Sequence, residues 1–202
     1  MTSETIRDQE EDHLLTPRNA ALIIIDYQPV QVGSVASMDR RTLVTNIVAV
    51  ARTAKLYDLP IVLSTVNVNT GANQPTVHQV ADVLDGMKAF DRTTINAWED
   101  EEFVHAVRTT GRKKLLMTAL WTEACLTFPT LDAIREGYEV YPIVDAVGGT
   151  SVEAHRAALE RIIQAGAKPT SWVQVLCELQ RDWSRKETAS QFADIVFAVE
   201  GR

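Results

Sequence analysis

Short apolar runs rich in β-branched residues alternate along the chain with longer segments whose apolar residues recur at helical spacing. The apolar runs cover residues 20–26, 61–66, 115–117 and 138–144. A run that is apolar at every position is typical of a strand covered on both faces in a parallel sheet. The alternation predicts a three-layer α/β/α sandwich with a mostly parallel central sheet, which is a Rossmann-like fold.

The segments between these runs carry helical periodicity and helix stop signals. Helices are predicted within residues 40–57, 77–90, 96–110, 122–136, 151–165 and 172–183. Asn96 is a candidate N-cap, and Gly111, Gly137 and Gly166 are candidate helix ends. Residues 168–171 are predicted to form a short edge strand.

Neither a linker nor an internal repeat divides the chain, which predicts a single main domain over residues 18–183. Residues 1–17 are predicted to be a loosely held N-terminal arm that Pro17 closes off. Residues 184–202 are an amphipathic C-terminal extension and a candidate contact with a neighbouring subunit.

The composition narrows the class of protein. The 202 residues are 46% hydrophobic and 23% charged, which is typical of a globular protein with a full core. No apolar run approaches the length of about 20 residues that spans a bilayer, and the acidic start is unlike a targeting peptide. The net charge of −7 disfavours nucleic acid and anionic membranes as partners. Cys125 and Cys177 are far apart in the sequence and fit no metal spacing. One disulfide is possible on count alone, but nothing in the sequence points to secretion, which predicts reduced thiols in a cytoplasmic protein.

The stretch 115–129, LLMTALWTEACLTFP, contains the first candidate for chemistry. A helix predicted to begin near Thr122 places Cys125 in its first turns, directly after a buried strand. The helix dipole and unpaired backbone N–H groups there favour an anion, which lowers a thiol pKa from its free value of about 8.5. The same N–H groups can stabilise an oxyanion. The alternative is a cysteine that only packs as a small hydrophobic residue.

Asp26 is the second candidate, because it follows a buried strand. Open α/β sheets bind their ligands at this carboxyl edge, although an aspartate after a strand is also a common turn or N-cap residue. Neither GxGxxG after the first strand nor GxxxxGK[ST] occurs, which disfavours nucleotide binding by either loop.

Several motifs together resemble the isochorismatase-like cysteine hydrolases, a family that includes nicotinamidases. They are IIIDYQ (23–28), DRTTINAWED (91–100), TALWTEACLTFP (118–129), EGYEVYPIVDAVG (136–148) and SVEAHRAALERIIQAGA (151–167). The resemblance covers residues 18–183, and its motifs reinforce one another.

The resemblance implies that Asp26 is the general base and Cys125 the nucleophile. The backbone N–H groups of Trp121 and Cys125 would form the oxyanion hole, and the Leu120–Trp121 bond would be a non-proline cis peptide. Ala119 stands where the family motif usually has glycine.

The third catalytic position of the family is a lysine, which this sequence does not plainly contain. Depending on the alignment, Asp91 or Arg92 occupies that position, and Lys88 lies just upstream. We expect Arg92 to supply the positive charge, although guanidinium stays protonated and cannot readily shuttle a proton. A purely structural Arg92 ion pair and a role for Lys88 remain alternatives.

The resemblance also bears on the pocket and on metal binding. The expected pocket residues are Tyr27, Gln28, Trp121 and Phe128, with loop 67–78 and a neighbouring chain completing the walls. Zinc-dependent relatives carry Asp-x-His-x-x-His after the second strand, whereas this loop reads NVNTGANQPTVH. We therefore expect neither a metal nor another cofactor.

The implied activity is hydrolysis of a C–N bond in a small amide-like substrate through a thioester acyl-enzyme. Vinyl-ether hydrolysis of the isochorismatase type is one alternative, and a catalytically impaired oligomeric scaffold is another. The ending SWVQVLCELQRDW (171–183) resembles a bacterial subgroup that forms octamers and has no assigned substrate. A homo-oligomer, most simply an octamer, is the expected assembly.

Overall fold

The computed structural model of the chain describes residues 7–201 and contains one five-stranded sheet between two layers of helices. The strands are β1 (Ala20–Ile25), β2 (Ile61–Val66), β3 (Ala89–Arg92), β4 (Lys114–Ala119) and β5 (Glu139–Pro142). They lie in the order β3-β2-β1-β4-β5, and all four pairings are parallel. The predicted α/β fold is confirmed.

The helices of the described chain divide between the two faces of the sheet. In chain order they are α1 (Pro29–Ser34), α2 (Arg40–Leu56), α3 (His78–Ala81), α4 (Glu101–Thr109), α5 (Thr127–Arg135), α6 (Val152–Gln164), α7 (Trp172–Gln180) and α8 (Lys186–Glu200). Buried residues of α2, α7 and α8 form one core, and those of α4, α5 and α6 form the other.

Strand β1 shows how one apolar run supplies both cores. All six of its residues are buried, because helices cover the sheet on both sides. Leu22 and Ile24 belong to the core with α2, whereas Ala21, Ile23 and Ile25 belong to the core with α4. Successive side chains of a strand point to opposite faces, so a continuous apolar run is required here. Each buried Leu or Ile contributes about 1.5–3 kcal/mol.

The register places the ends of three strands at one edge of the sheet. Ile25 pairs with Ser64 of β2 and with Ala119 of β4. The residues that follow these strands therefore meet above the same edge, as expected for ligand sites in open α/β sheets.

The structure corrects several local predictions. Strand β3 was not predicted, and the helix predicted over residues 96–110 is divided into a 3₁₀ turn (Ala97–Glu99) and α4. Asn96 caps the turn, as predicted, but Asp100 ends the turn and caps α4 by accepting from the N–H of Phe103.

Two further corrections concern short elements. The edge strand predicted at residues 168–171 is wrong, because only an isolated bridge between Ile143 and Thr170 forms there. The short helix α1 was not predicted, although Pro29 at its start is a common first residue of helices.

Asp12, Leu15 and Thr16 of the N-terminal arm are buried against the domain rather than loosely held. Lys114, at the start of β4, donates through Nζ to the carbonyls of Asp12 (2.5 Å) and Leu14 (3.0 Å). Arg181 donates to the Asp12 carboxylate at 3.1 Å, and Leu15 is fully buried. Residues 1–6 of the predicted arm lie outside the described residues.

The C-terminal extension forms α8, which packs on α2 and α7 of its own chain. Phe192 and Ile195 are buried in the core that α2 lines. Thr188 donates to the Gln180 side chain at 2.7 Å, which links α8 to the end of α7. Its contact with a neighbouring subunit stays a prediction. In the described residues, every helix is too short or too polar to cross a membrane.

Candidate active site

Asp26 lies directly after β1, and its side chain is completely buried. Its φ of +63° is left-handed, a conformation that aspartate tolerates better than most residues. Its N–H donates to the carbonyl of Ser64 at 3.0 Å, and its own carbonyl accepts from Gln28 at 2.8 Å. The chain therefore turns sharply at this residue and holds the carboxylate at the carboxyl edge of the sheet.

Arg92, the last residue of β3, forms a two-pronged ion pair with Asp26. Nη1 lies 2.7 Å from Oδ1 and Nη2 lies 2.7 Å from Oδ2, and neither side chain is exposed. Nη1 also donates to Ser64 Oγ (3.1 Å) and to the Thr65 carbonyl (3.0 Å). Burial acts to lower the pKa of Arg92, but hydrogen bonds to Asp26 and its charge outweigh burial and raise that pKa.

Lys88, the other candidate cation, lies away from this pair. Its Nζ is 3.4 Å from Glu102 and 4.7 Å from the centre of the Phe90 ring, at the surface. The structure therefore brings Arg92, and not Lys88, to Asp26.

Cys125 lies in a π-helical turn, Thr122–Leu126, that joins β4 to α5. We name these five residues the nucleophile turn. Cys125 is only 8% exposed and its thiol is hydrogen-bonded to Asp26, so Asp26 lies between Cys125 and Arg92. The position of Cys125 in the helical turn that follows β4 agrees with the sequence prediction.

Burial raises the pKa of the Cys125 thiol to about 12, and the charge and hydrogen bond of Asp26 act in the same direction. The Arg92 charge and a backbone hydrogen bond with Trp121 act against this shift without reversing it. The expected lowering of this pKa by the helix N-terminus is therefore wrong. The resting site contains a protonated thiol beside a buried carboxylate.

Trp121 immediately precedes the nucleophile turn, and the Leu120–Trp121 peptide bond is cis, as the resemblance implied. Its indole N–H donates to Ser34 Oγ at 2.7 Å and to the Gln31 carbonyl at 3.3 Å. Helix α1 therefore fixes the Trp121 side chain, which is half-buried beside the site.

The remaining expected pocket residues differ in their surroundings. Tyr27 and Gln28 are fully buried: the Tyr27 hydroxyl donates to the Ala146 carbonyl, and the Gln28 amide bonds the backbone of Val66 at 2.9 and 3.0 Å. Phe128, in the first turn of α5, is partly exposed. Trp121 and Phe128 have exposed surface, whereas Tyr27 and Gln28 support the backbone around the site.

Sequence reasoning missed several residues that position this site. Ser64 was read only as part of an apolar strand, yet it contacts Arg92. Glu123 accepts from the N–H and hydroxyl of Thr150, and Thr122 shares a 2.8 Å hydrogen bond with His155. The signal available in the sequence was the pair of successive polar residues, Thr122 and Glu123, shortly before Cys125. Within residues 7–201, no group of three or more His, Cys, Asp or Glu side chains is arranged to hold a metal ion.

Fold and site together define a class: a three-layer α/β protein with a cysteine and an aspartate at the carboxyl edge of a parallel sheet. Residues 20–174 match the family described as "Isochorismatase domain". The chain belongs to the isochorismatase family, and the predictions of this family and of a hydrolase are confirmed.

Relatives of this chain include proteins with both sequence and structural similarity. "Probable hydrolase YcaC" from Escherichia coli is 36% identical over 170 residues, which cover 84% of this chain and 81% of that protein. A structure of YcaC from Pseudomonas aeruginosa, with hexane-2,5-diol and covalent acrylamide, has a TM-score of 0.86 at 32% identity. It covers 97% of this chain and 93% of its own.

The E. coli YcaC crystal structure is described as an octameric hydrolase of unknown specificity. Its TM-score is 0.82 at 30% identity, with 94% of this chain and 98% of that chain covered.

Proposed function

We propose that this chain is a cysteine hydrolase that cleaves a C–N bond of a small amide through a thioester acyl-enzyme. The observation that carries this proposal is the buried series Cys125–Asp26–Arg92, in which one carboxylate contacts both the thiol and the guanidinium. A nucleophile beside a base, with the base held by a third group, is the arrangement that covalent catalysis requires.

The raised pKa of Cys125 decides how the first step proceeds. Because the resting thiol is protonated, its proton passes to Asp26 as sulfur attacks the carbonyl carbon. Backbone N–H groups of Trp121 and Cys125 are the proposed donors to the resulting oxyanion. When the C–N bond breaks, Asp26 gives that proton to the leaving nitrogen, and the acyl group remains on sulfur.

The second half of the reaction uses the same carboxylate. Asp26 accepts a proton from water as the water oxygen attacks the thioester, and the proton returns to sulfur when the C–S bond breaks. The products are a carboxylic acid and an amine or ammonia, and the enzyme regains its starting protonation.

Arg92 supplies a permanent positive charge beside the Asp26 carboxylate. A guanidinium stays charged throughout, so Arg92 orients Asp26 and stabilises its anion but does not itself carry the proton. In our proposal the proton moves only among sulfur, Asp26, the leaving nitrogen and water. We propose Asp26, Arg92 and Cys125 as the catalytic residues on this basis.

Covalent acrylamide in the Pseudomonas relative supports a reactive nucleophile in this group of proteins. We propose that Cys125 is the residue of this chain that acrylamide modifies. Its partly exposed neighbours Trp121 and Phe128 supply the apolar walls of the proposed pocket, with the rest from loop 67–78.

A panel of small amides tests the proposal through release of ammonia or amine and through the acyl-enzyme mass. Cys125→Ala should lower turnover at least about 10³-fold, since no other group replaces the nucleophile. Its melting temperature should stay close to that of the wild type. Cys177→Ala, at an exposed cysteine, is the matched control and should retain full activity. Turnover by Cys125→Ala above a few per cent would contradict the nucleophile assignment.

We also propose that the chain forms a homo-oligomer, as the octameric YcaC structure suggests. Light scattering at micromolar concentration should give a mass several times 22.4 kDa. A monomer mass would contradict this assembly. A cytoplasmic location is proposed as well, since both cysteines are free thiols.

A further inference from the structure

The nucleophile turn is hydrogen-bonded to the segment 148–155, which leads into α6 and includes its first turn. The N–H of Thr122 donates to the Gly148 carbonyl at 2.9 Å, and Thr122 Oγ1 lies 2.8 Å from His155 Nδ1. Glu123 Oε1 accepts from Thr150 twice, from the N–H at 2.9 Å and from the hydroxyl at 2.6 Å. Backbone and side chains of two successive residues are therefore tied to one neighbouring segment.

This segment is itself fixed from its other side. The Gly149 carbonyl accepts from Ala36 (3.0 Å) and Ser37 (3.3 Å), and its N–H donates to Ser37 Oγ at 2.9 Å. Through Thr150, the Glu123 carboxylate therefore connects the nucleophile turn to a segment that is also hydrogen-bonded to the loop between α1 and α2.

The fit around Glu123 is too close for any residue but glycine at position 149. A Cβ at Gly149 would lie 2.6 Å from Glu123 Oε2 and 2.9 Å from the Cβ of His155. Oε2 itself is buried and has no hydrogen-bond partner among residues 7–201. A buried carboxylate oxygen without a partner is costly, so capping or surface charge does not account for this placement.

We propose that Glu123 is a positioning residue of the hydrolase, which sets the nucleophile turn so that the backbone N–H of Cys125 faces the oxyanion. This inference rests on the proposed function above. Glu123 does not contact the reacting atoms: its side chain reaches Thr150, whereas that of Cys125, two residues on, reaches Asp26. Glu123 instead affects the placement of the backbone around Cys125. This placement matters when sulfur attacks a carbonyl, because a backbone N–H must then stabilise the oxyanion.

Two reactions of the same thiol separate this role from a merely structural one. Acylation of Cys125 by p-nitrophenyl acetate forms an S–C bond at a carbonyl, releases p-nitrophenolate, and needs oxyanion stabilisation. Alkylation by iodoacetamide forms an S–C bond, releases iodide, and needs none. The ratio of the two rate constants therefore reports on the oxyanion hole independently of thiol protonation. Every protein compared carries Cys177→Ala, so that only Cys125 reacts.

Glu123→Ala should lower the acylation rate about tenfold or more, because the loss of a whole oxyanion donor costs about 10²–10³-fold. Its alkylation rate should change by less than about threefold on the same basis. Glu123→Gln should restore acylation, since its amide oxygen can accept from Thr150. Glu101→Ala, an exposed glutamate in the first turn of α4, is the control and should match the wild type in both reactions.

Thr150→Val, with Thr150→Ser as its rescue, tests the same contact from the other side and keeps the inference falsifiable where Glu123→Ala fails to fold. Acylation and alkylation falling in equal proportion, or neither changing, would overturn the positioning role. Failure of the wild type to acylate at Cys125 would instead overturn the proposed function, and the role of Glu123 with it.

Discussion

Two buried cations lie at opposite edges of the same sheet, and the comparison shows what makes one of them a candidate for chemistry. Arg92 ends β3 at the carboxyl edge, whereas Lys114 begins β4 at the amino edge. They are 3% and 4% exposed, so burial does not distinguish them. Their partners do: Arg92 faces the Asp26 carboxylate, and Lys114 faces two backbone carbonyls.

Their pKa shifts differ in sign for the same reason. Burial acts to lower the pKa of both cations, but only Arg92 has a hydrogen-bonded carboxylate that reverses the shift. Lys114 keeps a lowered pKa, because burial and the charge of Lys168 lower it by more than the charges of Glu139, Asp12 and Glu178 raise it. A buried cation is thus evidence for a reactive site only when its partner can take up and release a proton, as a carboxylate can and a backbone carbonyl cannot.

Arg92→Met should give the largest effect. It leaves the Asp26 carboxylate buried without its counter-ion, which costs about 3–5 kcal/mol of unfolding free energy in urea titrations. It should also raise the apparent pKa of Cys125 further, because Arg92 is the charge that lowers it. Alkylation of Cys125 between pH 7 and 10 should therefore slow relative to the wild type.

Arg92→Lys is the control for charge, and it should retain measurable thiol reactivity although the two-pronged geometry is lost. If Arg92→Met lowers stability but leaves the alkylation profile of Cys125 unchanged, Arg92 has only a structural role, like that of Lys114.

Lys114→Met should have a smaller effect that is confined to stability. The carbonyls of Asp12 and Leu14 keep a second donor, Asn19 Nδ2, at 3.1 and 2.9 Å. We expect a loss of about 1–2 kcal/mol in unfolding free energy, as for one or two hydrogen bonds. The alkylation rate of Cys125 should not change, and a slower rate would show that the two edges are coupled.

The smallest expected effect is a pH dependence that Lys114 adds to stability. Its folded-state pKa lies below the ordinary value of 10.5, so the unfolded chain binds more protons between these two values. Wild-type stability should therefore rise, relative to Lys114→Met, as pH increases through this window toward 10.5.

Urea titrations at pH 8, 9 and 10 measure this difference, and Lys113→Met, at the exposed neighbour, should show none of it. A wild-type advantage that shrinks with rising pH would contradict the lowered pKa of Lys114.

The fold was predictable where a strand can be recognised from its own run of apolar residues. The apolar runs that became β1, β2 and β4 each fill two cores, and this requirement is visible in the sequence. Strand β3 is not visible, because only Ala89 and Phe90 are apolar and its pairing with β2 defines it. Since β3 was missed, the sequence could not decide between Arg92 and Lys88.

The site was predictable in its members more than in its electrostatics. Asp26 and Cys125 each follow an apolar run, so their meeting at one sheet edge follows from parallel topology. The raised pKa of Cys125 could not be read from spacing, because burial and the distance to Asp26 are tertiary properties. The positioning role of Glu123 could not be predicted from the sequence, because acidic residues are common in the first turn of a helix for electrostatic reasons alone.

The strand order β3-β2-β1-β4-β5 also bears on which strands of the growing chain can pair first. The first 92 residues contain every strand of one half of the sheet, including both partners of the Asp26–Arg92 ion pair. The central β1–β4 pairing joins residues far apart in the chain, such as Ile24 and Thr118, and such long-range pairings form slowly. During synthesis, the base and its counter-ion can be assembled while the cysteine is still being added, so the nucleophile is the last of the three to reach the site.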